Sequence, residues 1–196
     1  LTLAAETSYI YAPLAHRVGL YAIKSELENL SMKYTDPDTY KLIARKLNGK
    51  KAEREKFIAS FVAPIKEILA GEGIKADVFG RPKSIHSIWN KMRKKSIPFE
   101  EVYDLFAIRV IIDTVDEKEK TECWKVYSIV TDLYRPNPDR LRDWISSPKG
   151  NGYESLHTTL MGPRGQWVEV QIRTKRMNEI AEKGFAAHWK YKESNS

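Results

Sequence analysis

Residues 167–173 read WVEVQIR, and their alternation decides how the rest of the chain is parsed. Val168, Val170 and Ile172 fall on one side of an extended segment and must pack on a core. Trp167, Glu169, Gln171 and Arg173 fall on the other, which is either a solvent-facing edge or a surface where polar groups meet a ligand. Upstream, LHTTLMG (156–162) also reads as a strand, joined to WVEVQIR through Gly162-Pro163-Arg164-Gly165, and the two predict a hairpin.

Moving outward, LFAIRVIID (105–113) reads as a buried strand, ADVFG (76–80) as a short one and DWISS (143–147) as another. Between them RPKSIHSIWNKMRKK (81–95) and residues 117–131 read as helices, and Thr174 caps a last helix reaching about Lys190. The first 74 residues are helical. Leu20, Ile23, Leu27 and Leu30 recur at helical spacing in a segment that Pro13 breaks near its start. A turn at Thr35-Asp36-Pro37 opens a short helix ending at Asn48-Gly49. A third helix follows from Lys50, with Pro64 expected to kink it. The pattern predicts an α+β fold: a mixed sheet of four or five strands flanked by helices over residues 75–196, preceded by a helical segment over 1–74.

The chain has 196 residues and a net charge of +7, from 33 Lys and Arg against 26 acids, which points to a polyanionic partner. The basic residues Lys91, Arg93, Lys94, Lys95, Arg135, Arg140, Arg142 and Lys149 gather in the middle. The single Cys123 excludes an internal disulfide and fits a reducing cytosol. No apolar run approaches the ~20 residues that span a bilayer, so a soluble chain without membrane attachment is expected.

Three groupings could carry chemistry. In GRPKSIHSIWNKM, Ile85, Ile88, Trp89 and Met92 form an apolar stripe and Lys83, Ser87 and Lys91 a polar one. Gly80 and Pro82 are expected to open this helix, leaving amides and lysines for a phosphate chain; the alternative is a solvated basic face. In VYDLFAIRVIID, Asp104 precedes an apolar run and Arg109 interrupts it, either as an ion pair or as part of a site. Their parity differs, so Asp104 lies before the strand or a bulge intervenes. Asp104 and Glu169, carboxylates from separate segments, suit a hard cation such as Mg²⁺ that also takes phosphate oxygens. The scattered His and lone Cys offer no zinc set, and neither a GxxxxGK(S/T) loop nor GxGxxG occurs.

GRPKSIHSIWNKM, VYDLFAIRVI, DWISSPKGNGYESLHTTL and VEVQIRTKRMNEIAEKGFAAHWKYK together resemble the synthetase domain of the RelA/SpoT family of (p)ppGpp enzymes. YIYAPLAHRVGLYAIKSELENLSMKY (9–34) is similar to the last helices of that family's hydrolase domain, although no His is followed by Asp, so the hydrolase's metal motif is absent. The resemblance implies a fragment of a bifunctional Rel-type enzyme with a nucleotidyltransferase-like fold. It also implies cytoplasmic, Mg²⁺-dependent transfer of pyrophosphate from ATP to the 3′-hydroxyl of GDP or GTP, as in the stringent response. Arg81 and Arg109 would sandwich the adenine; Lys83, Ser87 and Lys91 would hold the ATP phosphates. Asp104 and Glu169 would bind Mg²⁺, Glu169 would also take the acceptor's proton, and Gln171 would orient the acceptor. Tyr153 would stack on guanine, with Lys149, Asn151, His157 and Arg142 on the acceptor nucleotide. Any ribosome contact would run through C-terminal regions that this sequence does not contain, and self-association is left open. A catalytically silent nucleotide-sensing or RNA-contacting module is the alternative.

The charged signature Arg140-Leu141-Arg142-Asp143 departs from the family's Arg-x-Lys-Asp by one Arg for Lys; it favours a bifunctional parent and GDP over GTP. Glu154 receives no role. Met177, Ala181, Gly184 and His188 form a stripe whose small residues permit close packing, with His188 either structural or at the nucleotide.

Overall fold

The computed structural model describes residues 2–184, which fall into two compact units. His188 lies outside the described residues, and the last helix, expected to reach about Lys190, closes at Lys183 with Gly184 at φ 79°.

The first unit comprises residues 2–52, 83–102 and 179–184. It is helical: α1 (Thr2–Glu6), a π turn (Thr7–Tyr11), α2 (Ala12–Arg17), α3 (Tyr21–Thr35), α4 (Pro37–Gly49) and α6 (Ile85–Lys95). Pro13 does not break the first helix. The π turn just before it moves the Ala12 N–H onto the Thr7 carbonyl, so the chain absorbs the missing proline donor and continues. The break comes at Gly19, whose φ of 79° ends α2. Asp36 caps α4, its side chain accepting from the Thr39 N–H at 3.3 Å.

The second unit, residues 53–82 and 103–178, holds the sheet. Its elements are α5 (Lys51–Gly71), β1 (Ala76–Pro82), β2 (Phe106–Ile112), α7 (Glu119–Leu133), β3 (Arg142–Asp143), β4 (Leu156–Met161), β5 (Trp167–Thr174) and α8 (Lys175–Lys183). The strand order is β1-β2-β5-β4-β3, with β2 and β5 parallel and every other pair antiparallel. The α+β reading with a mixed sheet holds. α5 runs uninterrupted through Pro64.

One sheet face is the core. Val78, Ile108, Val110, Val170, Ile172, Leu156 and Leu160 pack with Phe57, Phe61 and Ile65 of α5 and with Cys123, Val126 and Val130 of α7. At α8 the expected cap is present: Thr174 Oγ1 accepts from the Met177 N–H at 3.3 Å.

DWISS is not a strand. Only Arg142 and Asp143 pair with β4, because the Asp143 carboxylate turns the chain by accepting from the Ile145 and Ser146 amides at 3.0 and 2.8 Å. Pro82 does not open α6 either; it ends β1, and Ser84 is the cap.

Candidate functional site

The face opposite the core gathers side chains from all five strands. By register, Phe79, Arg109, Gln171, His157 and Arg142 stand opposite one another in a row crossing the sheet. A neighbouring row runs Arg81, Ala107, Glu169 and Thr159. Because strand side chains alternate, rows two residues apart share a face, so Arg81, Arg109, Glu169, Gln171, His157 and Arg142 come together as a set. Asp104 lies in the segment just before β2, which resolves its parity with Arg109 without a bulge.

Hydrogen bonds tie the middle of this set. Gln171 Nε2 donates to Glu169 Oε1 at 2.7 Å, while Gln171 Oε1 accepts from Arg109 Nε at 3.3 Å and Arg173 Nη2 at 3.2 Å. On the other side His157 Nδ1 lies 3.7 Å from Glu169 Oε1, and His157 Nε2 lies 2.7 Å from the Tyr153 hydroxyl. A polar chain therefore runs from Tyr153 through His157, Glu169 and Gln171 to two guanidinium groups. Arg173 shares the polar side of β5 as expected but is 1 % exposed, so it is a buried strut and not a surface residue. A buried cation of this kind is tolerated because Gln171 accepts from it and the Tyr153 ring lies 5.8 Å from its Cζ.

The loop before β4 builds an aromatic corner. Lys149 Nζ sits 4.1 Å from the Trp144 ring centroid and 5.1 Å from that of Tyr153. Trp144 meets the Tyr153 and His157 rings edge-on at 5.9 and 4.8 Å. Burial lowers the Lys149 pKa, and burial raises that of Tyr153, a residue only 9 % exposed. Asn151 Oδ1 accepts from the Tyr153 N–H at 3.3 Å, and the Lys149 N–H donates to the Tyr153 carbonyl at 3.1 Å, closing the loop on itself. Gly152 takes φ 77° within it, a conformation that suits glycine. Trp144 was not singled out in the sequence; its place beside Lys149 follows from the Asp143 turn, which reads as an extension of the strand in a one-dimensional pattern.

Lys83, Ser87 and Lys91 belong to the first unit. There Ile88 is the buried residue of α6, and Ser87 is exposed. The amides expected to be open at this helix start are partly taken: Ser84 Oγ accepts from the Ser87 N–H at 3.1 Å, and Asn29 Oδ1 accepts from the His86 N–H at 2.9 Å. Arg93, Lys94 and Lys95 occupy the last turn, where cations suit the helix dipole. Arg142 is exposed, its Nη1 donating to the Asp139 and Leu141 carbonyls at 3.1 and 2.9 Å.

For a metal, no three His, Cys, Asp or Glu side chains gather into a cage among the described residues. Asp104 and Glu169 each offer hard carboxylate oxygens, the donor chemistry that Mg²⁺ takes alongside phosphate oxygens and water. No helix is long and apolar enough to cross a membrane among the described residues.

Residues 80–196 match the family described as "Region found in RelA / SpoT proteins". Over 190 residues the chain is 46 % identical to a GTP pyrophosphokinase of Escherichia coli (strain K12), covering 97 % of this chain and 25 % of that protein. It is 43 % identical over 190 residues to a guanosine-3′,5′-bis(diphosphate) 3′-pyrophosphohydrolase of Vibrio cholerae serotype O1, covering 97 % and 26 %. The chain thus spans about a quarter of the length of these relatives. Among solved structures, the small alarmone synthetase 2 of Bacillus subtilis shares the fold, with a TM-score of 0.53 at 24 % identity over 76 % of this chain and 83 % of that one. With the family match extending over more than half of its residues, this chain belongs to the RelA/SpoT family.

Proposed function

We propose that the chain is a (p)ppGpp synthetase domain, transferring the β,γ-pyrophosphate of ATP to the ribose 3′-hydroxyl of GDP or GTP in the cytoplasm, within the stringent response. The observation that carries this reading is the set of Arg81, Arg109, Glu169, Gln171 and His157 on one sheet face, flanked by the Trp144–Lys149–Tyr153 corner. Arginines at one end and an aromatic corner at the other suit two purine nucleotides meeting over a central carboxylate.

In this reading Arg81 and Arg109 take the adenine, since a planar guanidinium stacks where an ammonium would not. Lys83, Ser87 and Lys91 take the ATP phosphates. The acceptor guanine replaces the Lys149 ammonium over the Tyr153 ring, and Lys149 turns to the acceptor phosphates beside Asn151, His157 and Arg142. Gln171 holds the Glu169 carboxylate, which takes the 3′-hydroxyl proton as the 3′-oxygen attacks the β-phosphorus of ATP. The bond to the α-phosphate oxygen breaks and AMP leaves. Asp104 and Glu169 would hold Mg²⁺, which supplies neutralisation of the phosphate charge when bound. Transfer between two polyanions needs alignment and charge neutralisation more than covalent help.

Incubating the chain with ATP, GDP and Mg²⁺ is expected to yield ppGpp and AMP. Glu169→Gln is expected to abolish product while ATP and GDP still bind in calorimetry. Binding without product from the parent chain would leave a silent nucleotide-binding module instead, and near-normal turnover in Glu169→Gln would remove Glu169 from both of its roles.

A further inference from the structure

Beside the polar chain above, Glu154 and Arg176 form an ionic group with Glu119. Arg176, near the start of α8, donates from Nε to Glu119 Oε2 at 2.8 Å, and its Nη2 lies 2.6 Å from the same oxygen. Its Nη1 donates to Glu154 Oε2 at 2.9 Å. Glu119, at the start of α7, is buried, and its other carboxylate oxygen accepts from Thr174 Oγ1. One guanidinium therefore bridges two acids from elements distant in sequence, in a setting where loss of either partner strands a charge away from water.

What this group holds is the residue next to the aromatic platform. Glu154 directly follows Tyr153, and Ser155 directly follows Glu154, with Ser155 Oγ donating to the Ile172 carbonyl of β5 at 3.1 Å. Two adjoining anchors thus fix the backbone behind Tyr153 before β4 begins at Leu156. The Ser155 anchor ties it to the sheet. The Glu154 anchor ties it to α7 and α8 through Arg176.

We propose that Arg176 is a positioning residue for the acceptor: by holding Glu154 against Glu119 and Thr174 it orients Tyr153, and so sets affinity for the acceptor nucleotide without contacting either substrate. This rests on Tyr153 being the acceptor platform. A lysine cannot replace it fully, because a point ammonium lacks the fork that reaches two carboxylates at once.

Glu154→Ala cuts the tie to Tyr153 while leaving the Arg176–Glu119 pair, so it is the variant least exposed to misfolding; Arg176→Gln, Arg176→Lys and the Glu154→Ala/Arg176→Gln double variant accompany it. Two quantities are read in each: KM for GDP and for ATP in the transfer assay, and the rate of native-state tryptic cleavage after Lys149. Glu154→Ala is expected to raise the GDP KM about tenfold with the ATP KM unchanged, the scale of loss that follows small misplacement of a binding group. Cleavage after Lys149 quickens in parallel. Arg176→Lys recovers part of both effects, and the double variant is no worse toward GDP than Arg176→Gln, since both changes remove one clamp. Equal loss for both nucleotides, or a fall in thermal stability with the GDP KM and the cleavage rate unmoved, overturns the proposal. Should the parent chain make no ppGpp, the transfer reading fails on its own. Cleavage after Lys149 and calorimetric GDP binding then still decide whether the clamp orients Tyr153.

Discussion

Lys149 and Arg173 are both basic residues beside Tyr153, but their surroundings give them different work. Arg173 is buried and engaged with Gln171, so its charge is spent on structure. Lys149 rests on two rings, and burial draws its pKa below the ordinary lysine value. The ammonium exists below its pKa, so a lowered pKa means the charge is lost earlier as pH rises. KM for GDP is therefore expected to climb at a pH below that at which an ordinary lysine titrates. Lys149→Arg should shift that climb to higher pH, with the ATP KM as control; identical profiles would exclude Lys149 as the titrating group. Alternation along WVEVQIR made the shared side of Glu169 and Gln171 legible, since strand geometry alone fixes it. It could not reveal that Arg173 is covered, nor that Glu154 meets Arg176, because both depend on which distant elements close over them.

At the scale of elements, β1, β2, β4 and β5 were legible as short apolar or alternating runs bounded by turn residues. The failures share a different cause: local hydrogen bonds overrode the one-dimensional pattern. Asp143 bonds two amides and converts an apparent strand into a turn, Ser84 takes the cap position that Pro82 seemed to offer, and a π turn lets a helix pass Pro13. Gly80 has a reason that the pattern hid. It faces the core side of β1, where an added Cβ would lie 2.6 Å from Ile58 Cδ1 and 2.9 Å from Cγ2 of the same side chain on α5. Gly80→Ala is expected to destabilise the fold by about 1–3 kcal/mol, the usual cost of overpacking. Ile58→Val, which removes the nearer atom, should restore part of that loss in urea unfolding; an unchanged midpoint in Gly80→Ala would mean that α5 yields freely there.

At the scale of the molecule, the sheet unit has a built-in reporter of its own integrity. Cys123 lies in the core between α7 and the sheet, and burial, with the Glu119 carboxylate next in weight, pushes its thiol up to about 12. Only a thiolate reacts readily with disulfide reagents, so the native chain should resist such a reagent near neutral pH and react fully once denatured. Rapid labelling of the folded chain would show that the core under the site opens on its own. The order of the sheet bears on how that core is first made. β5 comes last in sequence among the five described strands, yet it occupies the centre, parallel to β2 on one side and antiparallel to β4 on the other. Until it inserts, β1–β2 and β4–β3 are two separate ribbons, and pairings this remote along the chain form slowly. Glu169 and Gln171 ride on that closing strand, so the two halves of the candidate site join only in the step that completes the sheet. A ribosome-bound nascent chain would therefore expose two half-sites and no assembled one until residue 174 has emerged.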